Sequence, residues 1–183
     1  MESLYWQSDD LGVDKEKARY WLVKAAESNP EAMVRLALKY CVGKRTDEAL
    51  ALCIKAGDMS CGQTKVEADR LTAQIYGDMS FAGYDPEKQK AYLLKALNVK
   101  PVPTDNGFDD EYARAASLLR AWFQLENTNS PSESNVKNAA YCAAIAAVLD
   151  RDYADRLSEF AIRQSQFDAW AVDARNYNFH LPC

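Results

Sequence analysis

Apolar residues recur three and four positions apart along most of this chain, which is the spacing of amphipathic helices. In the first such stretch, residues 14 to about 27, Ala18, Trp21, Leu22, Ala25 and Ala26 share a face, with Asp14 at the N-cap position. Asn29-Pro30 ends it and opens a second helix, which Ala32, Leu36, Leu38 and Tyr40 carry to a stop at Gly43. A third spans residues 46–56 and closes at Gly57, and a fourth, residues 64–76, gathers Ala68, Leu71 and Ile75 before a turn containing Gly77 and Gly83. Asp85-Pro86-Glu87 combines an N-cap, a first-turn proline and an acid at the positive helix end, so a fifth helix starts there and runs through Leu97. Beyond the turn-rich residues 101–107, a sixth covers about residues 109–125 and includes Tyr112, Ala116, Leu119, Trp122 and Phe123. Ser130-Pro131-Ser132-Glu133 has the spacing of a capping box for an alanine-rich seventh, residues 132–149. Residues 153–162 and 167–174 predict short closing helices, after which the end of the chain is expected to fray. No segment alternates as a strand would.

The helical pattern repeats. Ala18, Trp21 and Lys24-Ala25-Ala26 align with Ala49, Leu52 and Lys55-Ala56-Gly57 at an offset of 31 residues, and these with Gln89, Tyr92 and Lys95-Ala96-Leu97 at 40. A weaker copy places Ala139, Cys142 and Ala146-Ala147 a further 50 to 51 on, and the intervening helices align Ala32, Leu36 and Tyr40 with Ala68, Thr72 and Tyr76 at 36. Periods of this size predict stacked helix pairs, in which small residues such as Ala25 and Ala56 let helices approach while Trp21 and Tyr92 fill the space between layers.

The stretch Leu11-Gly12-Val13-Asp14-Lys15-Glu16-Lys17-Ala18-Arg19-Tyr20-Trp21-Leu22-Val23-Lys24-Ala25-Ala26 resembles the turn and second helix of the Sel-one-like repeats, relatives of the tetratricopeptide repeats. Residues 31–57 are similar with a shorter turn. Residues 67–97 keep the turn as Ala82-Gly83-Tyr84-Asp85 and carry Gln89 where alanine is usual. The resemblance covers about half the chain and implies an all-α, right-handed solenoid of antiparallel helix pairs. It implies a single helical-repeat domain over residues 1–183, with clear repeats at 4–100 and degenerate repeats plus a C-terminal cap at 101–183. Leu4-Tyr5-Trp6 runs straight into the turn Leu11-Gly12-Val13, so the first repeat lacks most of its first helix.

Composition narrows the function. Hydrophobic residues make up 48% and charged residues 27%, without an apolar run near the ~20 residues a membrane-spanning helix requires, so no membrane insertion is expected. Residues 1–10 have neither the basic flank nor the apolar core of a secretory signal, which makes the cytoplasm the expected address, or the periplasm if a targeting segment was removed. The formal net charge is −5, from 27 acidic and 22 basic residues with no dense basic run, so nucleic acid is not an expected partner. Five cysteines at irregular positions do not form a disulfide framework, and His180 is the single histidine, too few ligands for a zinc site. No cofactor, metal or catalytic motif is present: there is no Gly-x-Ser-x-Gly, phosphate loop or His-Glu-x-x-His.

Resemblance to the Sel-one-like family implies a protein–protein interaction module, an adaptor or scaffold that holds another protein on the solenoid surface. Bacterial members of the family include proteins that neutralise a toxic effector, and an acidic chain suits an effector with a basic face. The alternative is an enzyme of the family's cysteine-rich, beta-lactamase-like hydrolase branch, but Cys41, Cys53 and Cys61 do not recur in register as that branch requires. The expectation is a protein that is not an enzyme. Aromatic residues in the irregular parts are the candidate partner contacts: Tyr5, Trp6, Phe81, Tyr84, Trp170, Tyr177 and Phe179. The competing expectation for the terminal ones is that they cap the last hydrophobic face.

Overall fold

A computed structural model describes residues 15–182, and every regular element among them is helical. In order these are α1 (Lys15–Ala25), α2 (Pro30–Val42), α3 (Thr46–Met59), α4 (Gly62–Tyr76), α5 (Pro86–Leu97), α6 (Phe108–Asn129), α7 (Glu133–Leu149), a 3-10 helix (Arg151–Glu159) and α8 (Gln164–Arg175). The starts follow from side-chain capping. Asn29 accepts from the Ala32 N–H at 3.2 Å, Asp85 from the Lys88 N–H at 3.0 Å and Ser132 from the Asn135 N–H at 3.0 Å, each satisfying a donor that the first turn leaves open. Asp14, the cap expected for α1, lies outside the described residues.

Several boundaries differ from the sequence reading, each for a local reason. Ser132 alone caps α7, while the Ser130 N–H donates to Glu126 O at 2.7 Å and closes α6, so the expected capping box does not form. The segment expected as a helix from Tyr153 to Ile162 is the 3-10 helix, which Asp150 opens by accepting from the Asp152 N–H and extended backbone at Phe160 stops. At the α2–α3 turn the left-handed conformation belongs to Lys44, with φ of 58°, and Gly43 keeps a negative φ. Where the end of the chain was expected to fray, Tyr177, Phe179 and Leu181 pack against the core.

Helices adjacent in sequence pack on one another from α1 to α7, and α7 carries both the 3-10 helix and α8. In addition α2 touches α4 and α4 touches α6. Two apolar clusters result. One gathers α1 to α4 around Leu22, Met33, Val34, Ala37, Cys53 and Leu71; the other gathers α4 to α8 around Leu93, Leu97, Tyr112, Leu119, Tyr141 and Ile145. The helix α4 serves both, giving Ala68, Leu71 and Ile75 to the first and Val66 and Ala73 to the second.

In three of the four aligned segments, burial falls one residue away from the column that the alignment predicts. Leu22, Cys53 and Leu93 are buried, whereas Trp21 is 45% exposed and Leu52 and Tyr92 are partly buried; in α7 the expected Cys142 and its neighbour Ala143 are both buried. Trp21 therefore does not fill the space between layers: Ala18, Leu22 and Ala26 bury their face of α1, and Trp21 stands edge-on to Tyr20 outside it. Ala25 is likewise exposed, while Ala56, Ala96 and Ala146, which align with it, are buried. Gly77 makes room for Gln89, since a Cβ there would collide with the Gln89 amide.

The α3 helix continues through Gly57, whose missing side chain leaves room for a buried acid. Asp69, 1% exposed, lies 3.4 Å from Lys65 Nζ and 3.2 Å from Lys95 Nζ, and Lys65 donates at 2.6 Å to the Gly57 carbonyl. A Cβ on Gly57 would stand 2.9 Å from Asp69 Oδ1. In an open helix interior, glycine to alanine stabilises by about 1 kcal/mol. Here we expect Gly57→Ala to destabilise by about 1–2 kcal/mol, the cost of overpacking a site whose carboxylate is held from two sides. Urea denaturation checks the sign, and a gain in stability would show that Asp69 moves aside freely.

Candidate partner-binding surface

Charged side chains line the contact between α4 and α6. Arg70 Nε donates to Glu111 Oε2 at 2.7 Å with both side chains buried, and the same guanidinium donates to Gln74 Oε1 at 2.6 Å. The other Glu111 oxygen accepts from Arg114 at 2.8 Å, where α6 reaches solvent. The sequence carries no sign of this pair, because Arg70 and Glu111 each fall among polar neighbours and look like solvated helix positions.

Glu67, one turn before Arg70, is half-buried on this surface, and no ion pair or hydrogen bond to it occurs among the described residues. Burial, followed by the Glu111 charge, pushes its carboxyl above the ordinary value of 4.5; Arg70 opposes the shift, Glu31 adds to it, and Arg114 opposes it weakly. From 4.5 upward the folded chain thus retains a proton that the unfolded chain has released, and stability falls as pH rises through that window. Glu67→Gln removes the linkage. We expect the variant to be more stable than the parent at pH 7 and equal to it at pH 4, which paired urea titrations at the two values would show; an unchanged difference across pH would contradict it.

The C-terminal aromatics gather around α7. Tyr141, fully buried, meets Trp170 edge-on at 5.5 Å between ring centroids and packs against Phe179 at 5.3 Å and His180 at 5.9 Å. Its hydroxyl accepts from the His180 backbone N–H at 3.2 Å. Tyr177 turns to the other side, edge-on to Phe108 and Tyr112, and donates to Asp109 Oδ1 at 2.5 Å. Burial, aided by that acceptor, pushes the Tyr177 phenol up to about 12. Trp170 and Phe179 are therefore brought together and Tyr177 lies in a second group, all three half-buried against the core.

One face of Trp170 remains available. It borders an open groove of about 470 Å³ between α7, the end of the 3-10 helix and α8. Val136, 47% exposed, with Ala140, Phe160 and Ile162 forms the apolar wall, and Glu133, Lys137 and Arg163 stand at the edge. An apolar strip with a few charges at its rim can accept a hydrophobic side chain and orient what carries it. Periodicity could not have located this groove, because Phe160 and Ile162 lie in the non-α segment that the pattern assigns to a helix.

The other sequence candidates lie elsewhere. Phe81 folds back over its own turn between α4 and α5: a Cβ on Gly83 would sit 2.6 Å from its ring. Tyr84, in the same turn, is 41% exposed. Tyr5 and Trp6 lie outside the described residues. Cys41, Cys53, Cys61 and Cys142 are free thiols, and burial pushes Cys53 up to about 12 and Cys142 higher still, so neither is a nucleophile at neutral pH. Among the described residues, no cluster of three potential metal ligands occurs and no helix is long and apolar enough to cross a membrane. No protein-family model, curated protein or solved structure matches this chain.

Proposed function

We propose that this chain is a helical-repeat protein of the Sel-one-like type that binds another protein and serves as an adaptor or as the inhibitor of a toxic effector. The contacts of α2 with α4 and of α4 with α6, added to those between sequential helices, are what a stack of helix pairs requires, and they favour a solenoid. The observation that carries the binding reading is the groove beside Trp170. A tryptophan fixed on one side by Tyr141 is a rigid anchor that loses little conformational freedom when a partner covers its other side. The inhibitor form of the reading draws on the net charge of −5, which suits an effector with a basic face.

Affinity capture from the source organism with the parent chain and Val136→Asp side by side tests this. Val136 is exposed, so the variant is expected to keep its helicity by circular dichroism. A partner retained in stoichiometric amount by the parent and lost with the variant supports the reading. Equal retention by both, or nothing retained by either, overturns it.

A further inference from the structure

Residues 151–163 join α7 to α8, and little in their own backbone fixes where they lie. The 3-10 helix runs for nine residues, although its poorer hydrogen-bond geometry makes runs beyond three or four uncommon, and none of the nine is buried. Tyr153 and Phe160 rest half-buried against the core. Phe160 and Arg163 have extended backbone, and the residues between them belong to no regular element. The wall that Phe160 and Ile162 give to the groove beside Trp170 is therefore held by side chains.

An ionic clasp ties this segment to α6. Glu159 Oε2 accepts from Arg120 at 3.2 Å and from Gln124 Nε2 at 2.9 Å, and Glu159 Oε1 accepts from Arg156 at 3.2 Å. Glu159 borders the groove, yet both of its oxygens are engaged within the chain, which leaves it little to offer a partner. The clasp matters from the other side as well. Arg120 is about 9% exposed, its Nε has no acceptor among the described residues, and its other hydrogen bond goes to Gln124 Oε1. Releasing Glu159 would leave a buried guanidinium with Gln124 alone, so the closed clasp is favoured, and the wall with it.

We propose that Glu159 is a latch that positions the groove beside Trp170: by clasping Arg120 and Gln124 it fixes Phe160 and Ile162, which follow it in the chain, across from Val136 and Ala140. The inference rests on the groove being the partner's site and adds that its shape is set from α6. Coupling between the two is reciprocal. A partner seated against Phe160 and Ile162 holds Glu159 on Arg120, and an opened clasp weakens that partner by the same factor.

Hydrogen exchange on the full chain, with no partner present, tests the latch. In Glu159→Ala the bonded amides of Tyr153, Phe160 and Ile162 should exchange about tenfold faster or more, while those of α5 keep the parent rates. Glu159→Gln retains an acceptor for Arg120 and should recover a large part of the change. Parent rates in Glu159→Ala overturn the proposal. So does equal acceleration along the whole chain, or a glutamine variant as fast as the alanine one. Partner capture is read separately. Capture by the parent that Val136→Asp loses, together with parent exchange rates in Glu159→Ala, would sink the latch and leave the binding reading standing. Faster exchange in Glu159→Ala with nothing captured by the parent would sink the binding reading and leave Glu159 as the residue that sets the wall.

Discussion

Replacing Glu111 with alanine is expected to lower the stability of the fold by about 3–5 kcal/mol, the range for removing one partner of a buried ion pair. The magnitude follows from what remains. Arg70 is about 9% exposed and would keep a single strong acceptor, Gln74 Oε1, for a guanidinium that cannot give up its charge. The surrounding helices α4 and α6 are held by Val66, Tyr112, Ala115 and Leu119, which keep most of the arginine buried. Glu111→Gln should cost less, since an amide oxygen still accepts from Arg70 Nε. The double variant Arg70→Met, Glu111→Leu should come close to the parent, because taking both charges out of a buried site removes the desolvation penalty along with the attraction. Chemical denaturation of the three variants separates these cases. A loss under about 1 kcal/mol for Glu111→Ala would mean that Arg70 swings out to solvent. A double variant as damaged as the single would mean that the pair specifies how α4 meets α6.

How far the sequence made this fold legible depends on which physical signal each part leaves. Helix starts with a side-chain acceptor were plain at Asn29-Pro30 and Asp85-Pro86, which cap as expected, whereas α7 is capped by Ser132 and not through the Ser130–Glu133 box that the spacing offered. Helix interiors were plain as well, because three- and four-residue spacing survives in alanine-rich segments. Hidden were the features made by residues far apart in the chain. Gly57 looks like a stop until Asp69, twelve positions on, is seen to need its hydrogen-only side. Trp21 looks like core from its spacing, yet the face of α1 that meets α2 is the one with Leu22, and a one-residue error turns an interior tryptophan outward. The buried charges of Asp69, Arg70 and Glu111 leave no local trace, since a polar residue in a helix pattern is assigned to solvent by default. The candidate site was half legible for the same reason. Trp170 stood out as an aromatic in an irregular region, but the groove it borders depends on the path of residues 160–163, where hydrophobic periodicity misidentifies extended chain as helix.

Tyr141→Ala is expected to cost about 3–5 kcal/mol, and its larger consequence is to release the end of the chain. Tyr141 is wholly buried at the centre of α7, and its ring is the shared contact of Trp170, Phe179 and His180. The alanines at 139, 140, 143 and 144 are too small to fill the space it leaves. The hydroxyl contributes little: its one backbone bond, from the His180 N–H, is 3.2 Å long, so Tyr141→Phe should lose about 1 kcal/mol or less. Burial sets the order of these two effects, with the ring outweighing the hydroxyl. Hydrogen exchange adds a readout that total stability does not supply. In Tyr141→Ala, amides of α8 and residues 176–182 should lose protection well before those of α3 or α5, since the tail would be left with Leu181, Ala174 and the contacts of Tyr177 to Phe108, Tyr112 and Asp109. The groove beside Trp170 would lose its rigid wall at the same time, and partner retention would fall even at temperatures where the helices persist. If exchange instead rises uniformly along the chain, α8 and the core of α7 open as one unit, and the groove is as stable as the fold that carries it.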